Sequence, residues 1–90
     1  PSKVASPAQR LERRYTVQVG AFQERSDALS LLDKLRGRGH NPFLLSSNVR
    51  ERGRWYRVRV GRFSEKAKAK EYQRRIETAE GIKGTFVARM

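Results

Sequence analysis

The chain carries one eight-residue frame twice. Tyr15-Thr-Val-Gln-Val-Gly-Ala-Phe22 and Tyr56-Arg-Val-Arg-Val-Gly-Arg-Phe63 both read Tyr-x-Val-x-Val-Gly-x-Phe, and corresponding residues lie 41 apart. No other feature restricts the fold as much, because a unit this short cannot bury its apolar face alone and must pack against its copy. Within each copy Tyr, Val and Val alternate with polar residues, the period of a strand with one buried face. The period then changes. Ala28, Leu31, Leu32 and Leu35 fall at i, i+3, i+4 and i+7, which predicts an amphipathic helix with Ser26 as its N-cap and Gly37, Gly39 and Pro42 ending it. The second copy is followed by the same stripe, with Ala69, Tyr72 and Ile76 matching Ala28, Leu31 and Leu35, Ser64 as the cap and Gly81 as the stop.

Between the halves, Phe43 to Val49 reads as a strand, Gly53 as part of a turn, and Trp55 to Val60 as the other arm of a hairpin. Thr85 to Arg89 makes a last strand. Two strand-helix-strand halves predict an α+β split sandwich: four antiparallel strands in the order 4-1-3-2 with both helices on one face. Ninety residues of 10.4 kDa leave no room for a second core. Residues 1–14 hold two Pro, small residues and a basic run, so they read as a flexible linker ahead of a domain over 15–90. The helices are expected to cover Tyr15, Val17, Val19, Tyr56, Val58 and Val60. The alternation then places Thr16, Gln18, Trp55, Arg57 and Arg59 on the opposite, open face. Phe43 can point either way, because Phe43, Leu44 and Leu45 are all apolar.

Charge makes that open face a ligand platform. Lys and Arg number 21 against nine Asp and Glu, for a net +12, and 15 of the cations are Arg, whose fork suits bidentate recognition of carboxylate or phosphate. Eight Arg and one acid, Glu51, lie between Arg36 and Arg62, so this stretch repels itself unless an anion is present. A face without function would carry Thr, Lys and Glu rather than a Trp, two Arg and a Gln. The bland alternatives are that Trp55 packs only against the loop beside it, that Arg57 and Arg59 are solvated, and that Gln18 is filler.

Other chemistry is excluded or unsupported. With no Cys there are no disulfides, thiolate metal sites or thiol catalysis. His40, the one His, reads as an exposed turn residue, and Glu77 and Glu80 read as part of a solvated helix face. No triad or carboxylate pair can be assembled, so the reading is a non-enzyme with no metal and no cofactor. Apolar runs reach only three or four residues, such as Phe43 to Leu45 and Phe86 to Ala88, so no segment spans a membrane. The domain is expected to be a monomer that makes no membrane contact itself. The chain starts at Pro1 rather than Met, as expected of a piece excised from a longer protein whose anchor lies upstream.

The Val-Gln-Val-Gly-Ala-Phe string at 17–22, the Trp-Tyr-Arg-Val-Arg-Val-Gly-Arg-Phe string at 55–63 and the helix after each resemble the SPOR domain, the sporulation-related repeat, over residues 15–89. The resemblance implies a ferredoxin-like, RNP-like βαββαβ topology in a bacterial envelope module of the periplasm. It also implies binding to peptidoglycan glycan strands that lack stem peptides, which would localise the parent protein to septa or other sites of wall remodelling. Gln18 matches the family's Gln in the first strand, and Trp55, Arg57 and Arg59 match the aromatic and basic part of the third. Ala21 departs from the Ser common at its place and Arg62 from the Pro common at its own. The resulting candidate ligand set is Thr16, Gln18, Phe43, Trp55, Arg57 and Arg59. Its chemistry fits such a strand, which bears free lactyl carboxylates, N-acetyl groups and apolar sugar faces: Arg forks meet carboxylates, the amide meets N-acetyl groups and the indole stacks on C–H surfaces.

The competing class is an RNA-binding domain, since the same element order with a high pI is the layout of RNA-recognition motifs. The third strand lacks the aromatic-rich pattern those domains use, and the first offers Thr16 and Gln18 where a stacking ring is wanted. Nucleic acid is therefore disfavoured as a partner. A protein-binding module using an exposed strand edge is a third option.

Overall fold

The two copies of the frame become the two central strands of one sheet. The computed structural model describes residues 14–90, so the linker expected over 1–14 lies, apart from Arg14, outside the described residues. The elements are β1 (Tyr15–Phe22), α1 (Arg25–Gly37), β2 (Pro42–Val49), β3 (Gly53–Phe63), α2 (Lys66–Glu80) and β4 (Phe86–Arg89). The sheet runs β2-β3-β1-β4, all neighbours antiparallel, which is the 4-1-3-2 order read from the other edge. The β2–β3 hairpin closes from Val49 to Gly53, with Glu51 and Gly53 both at positive φ (70° and 81°). At the other end of the chain, the Met90 amide donates to the Arg14 carbonyl at 2.8 Å.

Both helices lie on one side, and the core between layers is built from equivalent residues of the two halves. Val17 and Val58, Val19 and Val60, Ala28 and Ala69, and Leu35 and Ile76 are all buried, each pair one repeat apart. Leu32 is also buried, whereas its counterpart Gln73 is half-buried and donates its amide to the Thr85 carbonyl at 2.9 Å. The expected caps need correction. The N-cap residues are Glu24 and Glu65, neither making a side-chain cap bond, so Ser26 sits inside the first turn and Ser64 ahead of its cap. Each helix starts three residues after its Phe, where the chain leaving the sheet first turns back, closed by Ala28 N–H to Glu24 C=O and Ala69 N–H to Glu65 C=O. Gly81 ends α2 in the left-handed region, as its place in the pattern predicts.

Simple alternation cannot account for the end of the frame. Its second Val and its Phe are three residues apart, an odd step that would put them on opposite faces. Both copies solve this with a β-bulge at the Gly. In β1 the register slips between Gln18, opposite Arg59, and Gly20, opposite Val58; in β3 it slips between Val60, opposite Val17, and Phe63, opposite Tyr15. Phe22 and Phe63 thereby return to the core side. Each ring folds back over the Gly two residues before it: a Cβ added to Gly20 or to Gly61 would meet that ring at 2.8 Å. The bulges also send the intervening residues, Ala21 and Arg62, to the open face.

Gly61 carries the more demanding bulge, since its φ is +76°. Its amide donates to the Asn41 carbonyl at 3.1 Å and its carbonyl accepts from the Thr16 hydroxyl at 2.7 Å. Gly61→Ala meets both backbone strain and the Phe63 ring, so it is expected to cost about 1–3 kcal/mol in chemical denaturation. A loss below about 0.5 kcal/mol, the range of an ordinary surface substitution, would show that the bulge does not require glycine.

Candidate functional site

The register assigns the open face residue by residue. One rung crosses the whole sheet: Phe86 on β4, Gln18 on β1, Arg59 on β3 and Phe43 on β2 are successive partners. With strands about 4.8 Å apart, this rung is about 14 Å long. The next rung toward the hairpin holds Ala21, Arg57 and Leu45, and beyond it Trp55 faces Ser47. On the other side Thr16 pairs with Ala88. The structure thus settles the open choice at Phe43: it shares a face with Arg59, while Leu44 joins the core.

Exposure divides the six expected residues into two groups. Trp55, Arg57, Arg59 and Phe43 are partly exposed. Thr16 is not: it is 0% exposed, and its hydroxyl is spent on the Gly61 carbonyl at 2.7 Å, with the Val60 carbonyl at 3.2 Å. The expectation that Thr16 stands free on the open face is corrected, because a short side chain opposite the β3 bulge reaches the bulge carbonyls of Val60 and Gly61. Gln18 is on the expected face but only 7% exposed, and its Oε1 accepts from Arg59 Nε at 3.1 Å.

Three residues outside that set complete the face. Arg62 is exposed and places its guanidinium 4.4 Å from the centroid of the Phe43 ring, so one side of that ring is occupied by a cation. Phe86 is 48% exposed and Leu45 41%. The Val-Gly-x-Phe parity could have revealed Arg62, since a frame that keeps Val and Phe on one side must turn the residue before Phe outward. Nothing in the sequence announces Phe86, because its pairing with Gln18 depends on how the α2–β4 loop delivers the strand.

The electrostatics of the face are one-sided. Among the described residues the ion pairs are Arg36–Asp33, Arg38–Glu80 and His40–Glu80, all on the helices or the loop after α1, and none involves Arg57, Arg59 or Arg62. Burial holds the Arg59 guanidinium below the ordinary arginine range, and the charge of Arg57 acts in the same direction. An anion bound here would offset both by direct attraction. At the Trp55 end, the Ser47 Oγ is buried without a hydrogen-bond partner among the described residues.

The polar residues of the helical side differ from expectation. His40 is not an exposed turn residue: its Nε2 lies 3.0 Å from a Glu80 carboxylate oxygen and its Nδ1 is hydrogen-bonded to the Tyr72 hydroxyl. A carboxylate only accepts, so Nε2–H donates to Glu80 and, in the neutral ring, Nδ1 accepts the phenol proton. Glu80 is not part of a solvated face either. Its side chain is 3% exposed, and the Arg38 hydrogen bond at 2.7 Å holds its carboxyl below the usual carboxylate range, with His40 adding to the effect. Burial, reinforced by Glu80, pushes the Tyr72 hydroxyl up. Glu77 accepts from the Thr85 hydroxyl. These contacts join the loop after α1 to α2 and α2 to the approach of β4; Glu80 looks solvated in sequence because Arg38 and His40 lie 42 and 40 residues before it.

Comparison with known proteins agrees with this architecture. The SPOR domain family profile matches residues 11–88. The chain superposes on the solution structure of the peptidoglycan-binding domain of the B. subtilis cell wall lytic enzyme CwlC with a TM-score of 0.70 at 28% identity, over 100% of this chain and 99% of that one. It also matches the Spor protein DedD, with a TM-score of 0.64 at 25% identity over 98% of this chain and 43% of that one. No curated protein matches in sequence.

Proposed function

The chain belongs to the SPOR domain family, and from that premise we propose that it is a non-catalytic module binding peptidoglycan glycan strands that lack stem peptides. The observation that carries this reading is the open face, where Arg57, Arg59 and Arg62 have no carboxylate partner among the described residues and are flanked by Trp55, Phe43, Leu45 and Phe86. The peptidoglycan-binding domain of CwlC, alike over the full length of both chains, supports the same ligand class. A denuded strand matches the face because stem-peptide removal uncovers a lactyl carboxylate on each muramic residue. The strand becomes a polyanion with apolar sugar faces. Arg forks answer the first property, and exposed rings, which stack on C–H surfaces while excluding water, answer the second. Trp55, Arg57, Arg59, Arg62, Phe43 and Phe86 are the proposed contacts. In the cell such binding would bring the parent protein to septa or other places in the envelope where amidases have acted.

Sedimentation with purified sacculi tests the reading. Binding is expected to rise severalfold on amidase-treated over intact sacculi, because only the treated wall presents the carboxylates. Equal binding to both would overturn the denuded-strand specificity. Tight single-stranded RNA binding with no affinity for either wall would replace glycan by nucleic acid as the ligand.

A further inference from the structure

We infer that Gln18 is a positioning residue for Arg59: its buried side-chain carbonyl holds the guanidinium by Nε–H and leaves the Nη1/Nη2 edge as the pair of donors for a ligand carboxylate. The inference rests on the glycan reading for the identity of the carboxylate but not for the geometry.

A guanidinium can fork a carboxylate in two ways, through Nε with one Nη or through the two Nη groups. Gln18 Oε1 lies 3.1 Å from Arg59 Nε and accepts its proton, so the first fork is closed. A carboxylate then meets Arg59 end-on, along the axis of the side chain. The residue type fits this role. At 7% exposure, on a strand paired on both sides, the amide has little surface to offer a ligand. An uncharged acceptor also fixes the cation without neutralising it, which a carboxylate at the same place would do. Gln18 and Arg59 occupy the same position of the two frame copies and face each other across the central strand pair, so the repeat brings aligner and cation together. Burial and the charge of Arg57 both disfavour the Arg59 cation, and a bound anion would offset them by direct attraction.

The test combines the free protein with a double-mutant cycle. In the NMR spectrum of the free protein, the Arg59 Nε–H is expected to exchange slowly with water. Gln18→Met, which keeps length and volume without the acceptor, should speed that exchange at least tenfold. The same change is expected to lower affinity for denuded glycan oligomers about fivefold in the wild-type background and less than twofold in an Arg59→Ala background. An equal loss in both backgrounds would show that Gln18 touches the glycan itself, and an unchanged exchange rate would show that it does not hold Arg59; either overturns the inference. Should Gln18→Met fail to fold, Gln18→Glu retains the acceptor and is expected to keep the Nε–H protected while binding weakens, because the new carboxylate competes for the guanidinium. Loss of protection in that variant also overturns it. A wild-type protein that protects the Nε–H but binds no glycan would sink the proposed ligand while supporting the positioning of Arg59.

Discussion

Leu35→Ala is expected to lower the thermal midpoint by on the order of 10–30 °C. Leu35 is wholly buried on α1, facing a sheet whose core strands contribute Val17, Val19, Val58 and Val60. Truncating such a leucine removes its transfer free energy and leaves a cavity, together roughly 2–5 kcal/mol. In a domain this small each kcal/mol shifts the midpoint by about 4–8 °C, and a thin core leaves little stability in reserve. The neighbouring Leu31 is only half-buried and should lose clearly less on the same change. Arg57→Ala, by contrast, should leave the midpoint nearly unchanged, since Arg57 is partly exposed and makes no ion pair among the described residues. Differential scanning calorimetry of the three variants decides the matter. A small loss at Leu35 would mean that the two layers are not packed through it, and a large loss at Arg57 would make that residue part of the scaffold.

Trp55→Ala is expected to weaken denuded-glycan binding about tenfold or more at every salt concentration, whereas Arg57→Ala should weaken it mainly at low salt. Buried aromatic contacts dominate interfaces because they combine large desolvated area with little side-chain entropy loss, and truncation often costs 2 kcal/mol or more. Such dispersion and desolvation forces are insensitive to ionic strength. On the proposed reading Arg57 would instead meet a carboxylate at a surface open to solvent, where about 0.15 M salt screens beyond roughly 8 Å. Titrating glycan oligomers into wild type and both variants at three salt concentrations separates the two behaviours. Parallel lines for Trp55→Ala and a flatter line for Arg57→Ala are the expected pattern. Should Trp55→Ala instead flatten the salt dependence, the indole would be acting by arranging cations and not by stacking. A steep log-log slope for every variant, with losses spread over many cations, is the signature of counterion release from a nucleic acid.

Much of this molecule was legible before any coordinate was known, and the reason is local periodicity. Tyr15, Val17 and Val19 alternate, Ala28 to Leu35 follow a helical stripe, and both patterns recur after 41 residues. Periodicity records which side of an element meets the core, so the element order and the covered face followed, and the doubled strand-helix-strand pattern implied the sheet order. The resemblance carried by the same strings named the right family. What periodicity does not record is the partner across the sheet. The helix caps were misplaced for a related reason: Ser26 and Ser64 are good capping residues by type, but the exit from each bulge sets where the helix begins.

The site lay just beyond that limit. A repeat reports what its two copies share, and the shared residues, Val17 with Val58 and Ala28 with Ala69, build the core. The open face proposed to bind is made where the copies differ, Thr16 against Arg57, Gln18 against Arg59 and Ala21 against Arg62. The alternation alone placed Thr16, Gln18, Arg57 and Arg59 on one surface. Only the tertiary structure decided that Thr16 is consumed by the bulge carbonyls, that Gln18 is committed to Arg59, that Phe43 faces outward under Arg62, and that Phe86 completes the rung. Each of these depends on strand register and on bulges at Gly20 and Gly61. Register is fixed by the packing of residues far apart in the chain, so no window of the sequence contains it.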